Sequence, residues 1–405
     1  MPGYGARYWS DRTAKSRRKT HAKFRGAATA DAVVIGGGLT GCAAAYVLTN
    51  GGFDVILLEA GALAEGGTAG SPGIIVPQPD GEYRTVEHLA GRRAARAAWK
   101  EAGRGALELA ATLRKLKIGD VTPAPVVINA RTSDDVERLR REQGTRKAAG
   151  LAAAFLGAEA ARALTHAEST GGIRLQSGFL FDPVRAALGF ATAAEKQGAR
   201  IFEGSVVRRT RFTRKTADVL LAGGTIRTKL IVVATGGPGA VFGQLRRHVR
   251  EQQGFGVVTA PLPASVRKEI GAVKASMTEP DAAIWTRPMP DHRILFAGAA
   301  SRPAAARAID KTVRQRTAQL MYELSLRYPA VSGIPAEWGW SVPVVSTPDG
   351  LPWIGPHRNY PFHFFAMAFG WQGDGLAWHA ARAALRYFQG AARRDDDVFG
   401  FVRHL

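Results

Sequence analysis

"DAVVIGGGLTGCAAAYVLTNGGFDVILLEAG" occupies residues 31–61, and its reading decides the fold. Residues 32–35 are a short apolar, β-branched run, as expected of a strand buried on both faces. Gly36, Gly38 and Gly41 follow in G-x-G-x-x-G spacing. "CAAAYVLTN" then reads as a helix with small residues for a sheet to pack against, stopped by Gly51 and Gly52. "FDVILLE" is a second buried strand ending in Glu59, and 59 − 36 = 23 residues separate that acid from the first glycine. Each part has a physical task. Gly36 permits the tight turn, Gly38 lets backbone approach a pyrophosphate, and Gly41 lets the helix lie close to the strand. The helix N-terminus at Leu39 and Thr40 offers amides and the positive end of a dipole. Glu59, followed by Ala60, can accept hydrogen bonds from ribose hydroxyls and would repel a 2′-phosphate, which argues against NADP. The unit predicts a dinucleotide site without choosing between FAD and NAD.

The totals set the frame. The chain has 405 residues, 46% of them hydrophobic and 22% charged, which suits one large or two ordinary globular domains. Its 55 Lys and Arg exceed 34 Asp and Glu by 21. Such a field attracts anions, whether nucleic acid, a peripheral anionic surface or a phosphate cofactor; equally, it can be a solvated Arg-rich surface. No RNA-binding module or aromatic-interleaved basic repeat accompanies the charge, so nucleic acid is not an expected partner. Cys42 is the one cysteine, which excludes an intrachain disulfide and fits a reducing, cytoplasmic setting. At the helix start its thiol could be activated, or it could simply fill space. No apolar run approaches the roughly 20 residues of a transmembrane segment. "SRRKT" (16–20) has a twin-arginine look but no apolar stretch behind it, so it is not read as a signal. Residues 1–29 form a basic arm expected to lie on the surface, pinned by Tyr8 and Trp9. No metal site is expected.

Beyond Glu59, "EGGTAGSPGIIVPQ" (65–78) makes a glycine-rich polar loop near the C-terminal sheet edge, where doubly wound folds place ligands. The stretch 182–198 reads as an amphipathic helix, and "ARIFEGSVVRRTRF" (199–212) as a strand. Residues 217–239 read as a hairpin followed by a buried strand, Leu230 to Ala234, that ends in Thr235, Gly236 and Gly237. Near the C-terminus "STPDGLPWIG" (346–355) is turn-rich. An aromatic strand then leads into "GWQGDG" (370–375), a second glycine loop opening a helix. Two such loops far apart suit one extended cofactor, with ADP on the first and a flavin ring on the second.

These motifs together make the chain resemble the D-amino-acid-oxidase-like superfamily of FAD-dependent oxidoreductases, which includes glycine and sarcosine oxidases. Tyr8 and Trp9 ahead of the glycine loop are most similar to the "YW" arm of the gamma-glutamylputrescine oxidase-like branch. The resemblance covers residues 8–390. It implies an α/β fold: a Rossmann-type FAD-binding domain (30–80, 172–240 and 341–392) and a second, mostly antiparallel β-sheet domain with helices (81–171 and 241–340). Helices are expected near 91–116, 134–164 and 303–328. It implies noncovalent FAD, since Cys42 is misplaced for attachment. Gly67, Thr68, Ser71 and Gly73 would run along the pyrophosphate and flavin, Val207 beside the adenine, and Ala234–Gly236 beside the ribityl chain. Gly355, Gly370, Gly373, Asp374 and Gly375 would approach the ring, the helix dipole facing the charge of the reduced flavin.

The departures carry information. Val344 and Gly373 stand where an arginine of related oxidases clamps a substrate carboxylate, and neither can. Phe296 stands where others carry a lysine that assists reaction with oxygen, which leaves the acceptor open between oxygen and a carrier. The stretch 282–298 is expected to lie over the flavin, with Trp285 as an aromatic wall and Arg287 as an anion anchor. Trp371 and Gln372 are further candidates for substrate contact. The alternative for all four is ordinary packing or a solvated charge. The resemblance implies oxidation of a C–N bond in a small amine or N-substituted amino acid. The rival readings are a flavoenzyme acting on a modified tRNA base and a non-catalytic FAD-binding subunit of a larger complex.

Overall fold

A computed structural model describes residues 3–404 except 15, 17, 272, 274 and 281–283. Lys15, Arg17 and the first two residues of the stretch 282–298 therefore lie outside the described residues. The strand Ala32–Ile35 is wholly buried, which puts it at the centre of a sheet. Val55–Leu58 lies parallel to it on one side and Leu230–Gly236 on the other. Arg200–Phe202 adds to the first flank, Tyr360–Met367 and Trp353–His357 to the second. Only the last of these pairings is antiparallel among the described residues. The helix Leu39–Asn50 crosses over this sheet, with Cys42, Ala43, Ala44 and Ala45 all buried.

A larger, mostly antiparallel sheet stands beside it. Arg250–Thr259 pairs along nearly its whole length with Ala336–Ser346 and, on its other side, with Ile294–Ser301. Trp285–Pro288, Ser276–Thr278, Thr122–Ala130 and Gly171–Leu180 continue the sheet. The boundaries expected at residues 172 and 341 thus fall within strands of this sheet. The reason is that long strands cross from one region to the other without a break. A small sheet joins Val207–Phe212, Ala217–Leu221 and Gly224–Thr228 to Gly26–Thr29.

The helix Arg92–Lys115 buries Ala95, Ala98, Ala102, Ala106, Leu109 and Leu113, a stripe at three- and four-residue spacing. Its small residues let it lie against the helix Asp374–Phe388: a side chain at Gly105 would meet the Gly375 carbonyl at 2.8 Å. The helix expected over 134–164 is interrupted. Ser133–Ala148 ends before Gly150 (φ +71°), and Ala154–Gly157 becomes an edge strand on Gly171–Leu180. Cross-strand pairing outweighs the helix propensity of that Ala-rich run. The third expected helix forms as Ile309–Ser325.

In the arm Arg12, Lys19, Lys23 and Arg25 are exposed, while Tyr8 and Trp9 are buried, the Tyr8 ring packed edge-to-face on both Trp9 and Trp338. The Trp9 indole donates to the Ser71 carbonyl at 2.8 Å. Gly26–Thr29 is a sheet strand rather than a loose tail. No helix among the described residues is long and apolar enough to cross a membrane.

Candidate functional site

A cavity of about 410 Å³ opens where the carboxyl ends of the parallel strands meet the larger sheet. Its first end is the glycine loop. A Cβ at Gly36 would sit 2.4 Å from the Ala234 carbonyl oxygen, and one at Gly41 only 1.8 Å from that of Gly36. Backbone therefore occupies the space a side chain would need, and loop, strand and helix are held in close contact. The first helical amide, Leu39 N, donates to Thr68 Oγ1 at 2.9 Å. Thr68 thus does from a distant loop what no side chain at Gly38 can. Gly38, Leu39 and Thr40 line the cavity.

Glu59 lines the same end. One carboxylate oxygen accepts the Gly37 amide at 2.7 Å and the other the Gly61 amide at 2.7 Å. Each oxygen keeps a lone pair for a ribose hydroxyl. Ser205 N donates to the Glu59 carbonyl, which brings Val207 to the cavity wall. Thr235 Oγ1 donates to Gly237 O at 2.6 Å and stabilises the turn after the strand.

At the other end, Gly370 has φ +66°, and a Cβ there would lie 2.0 Å from an Asp80 carboxylate oxygen. Asp80 accepts the Trp371 amide at 3.2 Å. Burial pushes its carboxyl up to about 6. Asp374 begins the helix Asp374–Phe388 and accepts from Ser71 Oγ at 2.6 Å. Burial outweighs that bond and also pushes its carboxyl up to about 6.

Of the expected cofactor residues, Gly36, Gly38, Leu39, Thr40, Glu59, Ala60, Gly67, Thr68, Ser71, Val207, Ala234, Thr235, Gly236, Gly370, Gly373 and Asp374 line the cavity. Gly41, Gly73, Gly355 and Gly375 lie behind it. Gly41 abuts Gly36, and Gly375 abuts Val76 and Ala106. Gly355 faces Gly400, and a side chain at Gly73 would run into the Arg287 guanidinium. The wall also includes Phe242, Phe369 and the strand segment 342–345, within which only Val344 was singled out from the sequence.

The four expected substrate residues separate. Trp371 lines the cavity, its ring pressed over Gly254 of the larger sheet. Gln372 turns away and accepts from Gln78 Nε2 at 3.2 Å. Trp285 is core, 1% exposed. Arg287 is also buried: Nη1 donates to the carbonyls of Pro72, Gly73 and Phe181 at 3.1, 2.6 and 2.7 Å, and the guanidinium lies over the Trp9 ring. Burial lowers its pKa to about 10. It ties the arm, the polar loop and the larger sheet together and does not line the cavity. Cys42 is fully buried and points its thiol to the Gly37 carbonyl, and burial pushes that thiol up, so the helix start does not activate it.

The residues present fit an extended flavin dinucleotide. The glycine cradle, the exposed helix start and the ribose-side acid stand at one end, and a second helix start stands at the other. No Cys or His among the described residues lines the cavity, consistent with noncovalent binding.

Comparison with known proteins agrees. Glycine oxidase from Geobacillus kaustophilus superposes with a TM-score of 0.76 at 18% identity, covering 93% of this chain and 100% of that one. L-proline dehydrogenase from P. horikoshii gives 0.74 at 16% identity over 92% and 97%. L-amino acid deaminase from Proteus vulgaris gives 0.74 at 18% over 97% and 98%. These likenesses show the fold. Gamma-glutamylputrescine oxidoreductase of Escherichia coli is 26% identical over 208 residues, 51% of this chain and 49% of that protein, so the match spans about half of each. The family model described as "DAO: FAD dependent oxidoreductase" matches residues 31–386, and the chain belongs to that family.

Proposed function

We propose that the protein oxidises a C–N bond of a small amine or N-substituted amino acid, using noncovalent FAD. The observation that carries this reading is the single cavity joining the two glycine loops, closed at its far end by Trp371 and the strand segment 342–345 of the larger sheet. The first loop, Thr68 and Glu59 would hold the ADP half. Bound FAD supplies a two-electron acceptor for a hydride leaving the carbon next to nitrogen. The chain's own contribution is position and exclusion. The apolar side chains of Val342, Val344, Phe369 and Trp371 keep water from the reacting carbon. The start of the helix Asp374–Phe388 directs its dipole at charge developing on the ring. Such chemistry needs orientation more than an acid–base pair. The relatives support this reading through the printed names of the E. coli oxidoreductase and the glycine oxidase. The lone buried thiol suits a cytoplasmic enzyme.

The test is anaerobic mixing of the purified yellow holoprotein with a panel of primary amines, secondary amines and N-methyl amino acids. At least one should bleach the flavin band. Tight FAD binding with no bleaching across the panel would refute the proposal and favour a flavin-binding subunit.

A further inference from the structure

The charge of the cavity opposes the charge of the chain. Lys and Arg outnumber Asp and Glu by 55 to 34. Yet among the described residues no Lys, Arg or His lines the cavity, while two carboxylates do, Glu59 and Asp374. The two acids differ in what they already hold. Both Glu59 oxygens accept backbone amides. Asp374 uses only Oδ2, which accepts from Ser71 Oγ. The Gly73 amide donates to that same Ser71 oxygen at 3.0 Å, which directs the Ser71 hydrogen toward Asp374 and fixes the carboxylate's orientation. Oδ1 has no protein donor among the described residues.

The neighbourhood supplies no cation to a substrate carboxylate. Arg287 is near enough to feel Asp374 but is committed to three backbone carbonyls. Val344 lines the cavity with Phe369 and Trp371, and the Val344 and Trp371 side chains both lie against Gly254. A carboxylate brought here would meet a like charge and apolar surface, and its desolvation would go uncompensated. An ammonium would meet a free carboxylate oxygen and aromatic faces, both favourable.

We infer that Asp374 is a specificity residue that binds the substrate's ammonium group, which releases one proton to solvent before the neutral amine loses hydride, and that the substrate class is cationic amines with no carboxylate beside the nitrogen. The inference rests on the amine-oxidising reading of the cavity and narrows it. It separates this chain from oxidases of simple amino acids by the sign of the group recognised.

The experiment pairs N-methylbutylamine with N-methylnorvaline, which is the same molecule carrying a 2-carboxylate. Both are tested against wild-type and Asp374→Asn holoprotein by anaerobic flavin reduction. Benzyltrimethylammonium, which has no N–H to lose, is titrated separately by its perturbation of the flavin spectrum. The amine should reduce the wild-type flavin at least 10-fold more efficiently than its carboxylate counterpart. Asp374→Asn should raise half-saturation for the amine by about 10- to 100-fold, the worth of a charge-assisted hydrogen bond, and should raise by a smaller factor the dissociation constant of benzyltrimethylammonium, which has no N–H and feels only the carboxylate's charge. A melting temperature and far-UV circular dichroism spectrum matching the wild type show that the variant has folded. Preference for the carboxylate compound, or equal cation binding by the two proteins, overturns the inference. If neither compound reduces the flavin but benzyltrimethylammonium binds in an Asp374-dependent way, the oxidation reading fails and the cation site stands. A variant that loses FAD places Asp374 at the cofactor and also overturns the inference.

Discussion

The two glycine loops look alike as strings and are built differently. In the first, glycine is required by backbone at Gly36 and Gly41, where the nearest atoms to an added Cβ are the carbonyl oxygens of Ala234 and Gly36, while Gly37 and Gly38 face the Leu63 and Thr68 side chains. In the second, at residues 370–375, glycine makes room mainly for side chains, Asp80 beneath Gly370 and Phe369 beneath Gly373. The first is a local device that works wherever a strand, turn and helix occur in succession. The second depends on Asp80, 290 residues away in the chain (370 − 80 = 290), arriving at the right place. A rigid backbone cradle suits a group of fixed shape, as a pyrophosphate is. A loop shaped by side chains can change with the molecule presented to the far end of the cavity.

This difference can be broken experimentally. Gly41→Ala places a methyl 1.8 Å from the Gly36 oxygen, and no rotamer relieves a backbone contact. We expect a loss above about 4 kcal/mol, read as absence of FAD-bound soluble protein. Gly370→Ala should cost about 2–4 kcal/mol, from its φ of +66° and its clash with the Asp80 carboxylate. Combined with Asp80→Ala, part of that loss should return in chemical denaturation, because the clash involves a side chain. Strictly additive losses would show the second loop to be as backbone-limited as the first. Glu59→Gln keeps the shape but weakens two amide contacts at 2.7 Å. Its FAD dissociation constant should rise by roughly 5- to 30-fold in an apoprotein titration.

The smallest effect concerns pH. Burial raises the Asp80 carboxyl from its usual 3.8 to about 6. Between those values the folded state holds a proton that the unfolded state has lost, so this group's contribution to stability falls as pH rises from about 4 to 6. Asp80→Asn removes that dependence. The melting temperature of the wild type relative to the variant should drop by about 1–4 °C across this interval and then level. A difference that is flat with pH would show that Asp80 is ionised in the fold throughout.

The strands at Ala32–Ile35, Val55–Leu58 and Leu230–Gly236 were legible because a strand buried on both faces must be apolar at every position. The break in the helix expected over 134–164 was not, because the pairing of Ala154 with Arg174 is a contact between distant segments. The membership of Gly171–Leu180 and Ala336–Ser346 in the larger sheet was decided by their partners. Trp285 and Arg287 illustrate the same limit at the site. Their types suit an aromatic wall and an anion anchor, and nothing in the neighbouring residues shows that both turn into the core.

The sequence by itself determined the glycine turn between two buried strands, the acid at the tip of the second strand and the presence of a second glycine loop opening a helix. Those features rest on backbone geometry within a few dozen contiguous residues, where spacing and residue type are enough. Tertiary structure alone decided which polar groups remain available. Arg287 is committed to three carbonyls contributed by Pro72, Gly73 and Phe181, while Asp374 keeps an oxygen free beside Trp371. A side chain's remaining hydrogen-bonding capacity depends on every segment packed around it, and those segments come from the whole length of the chain.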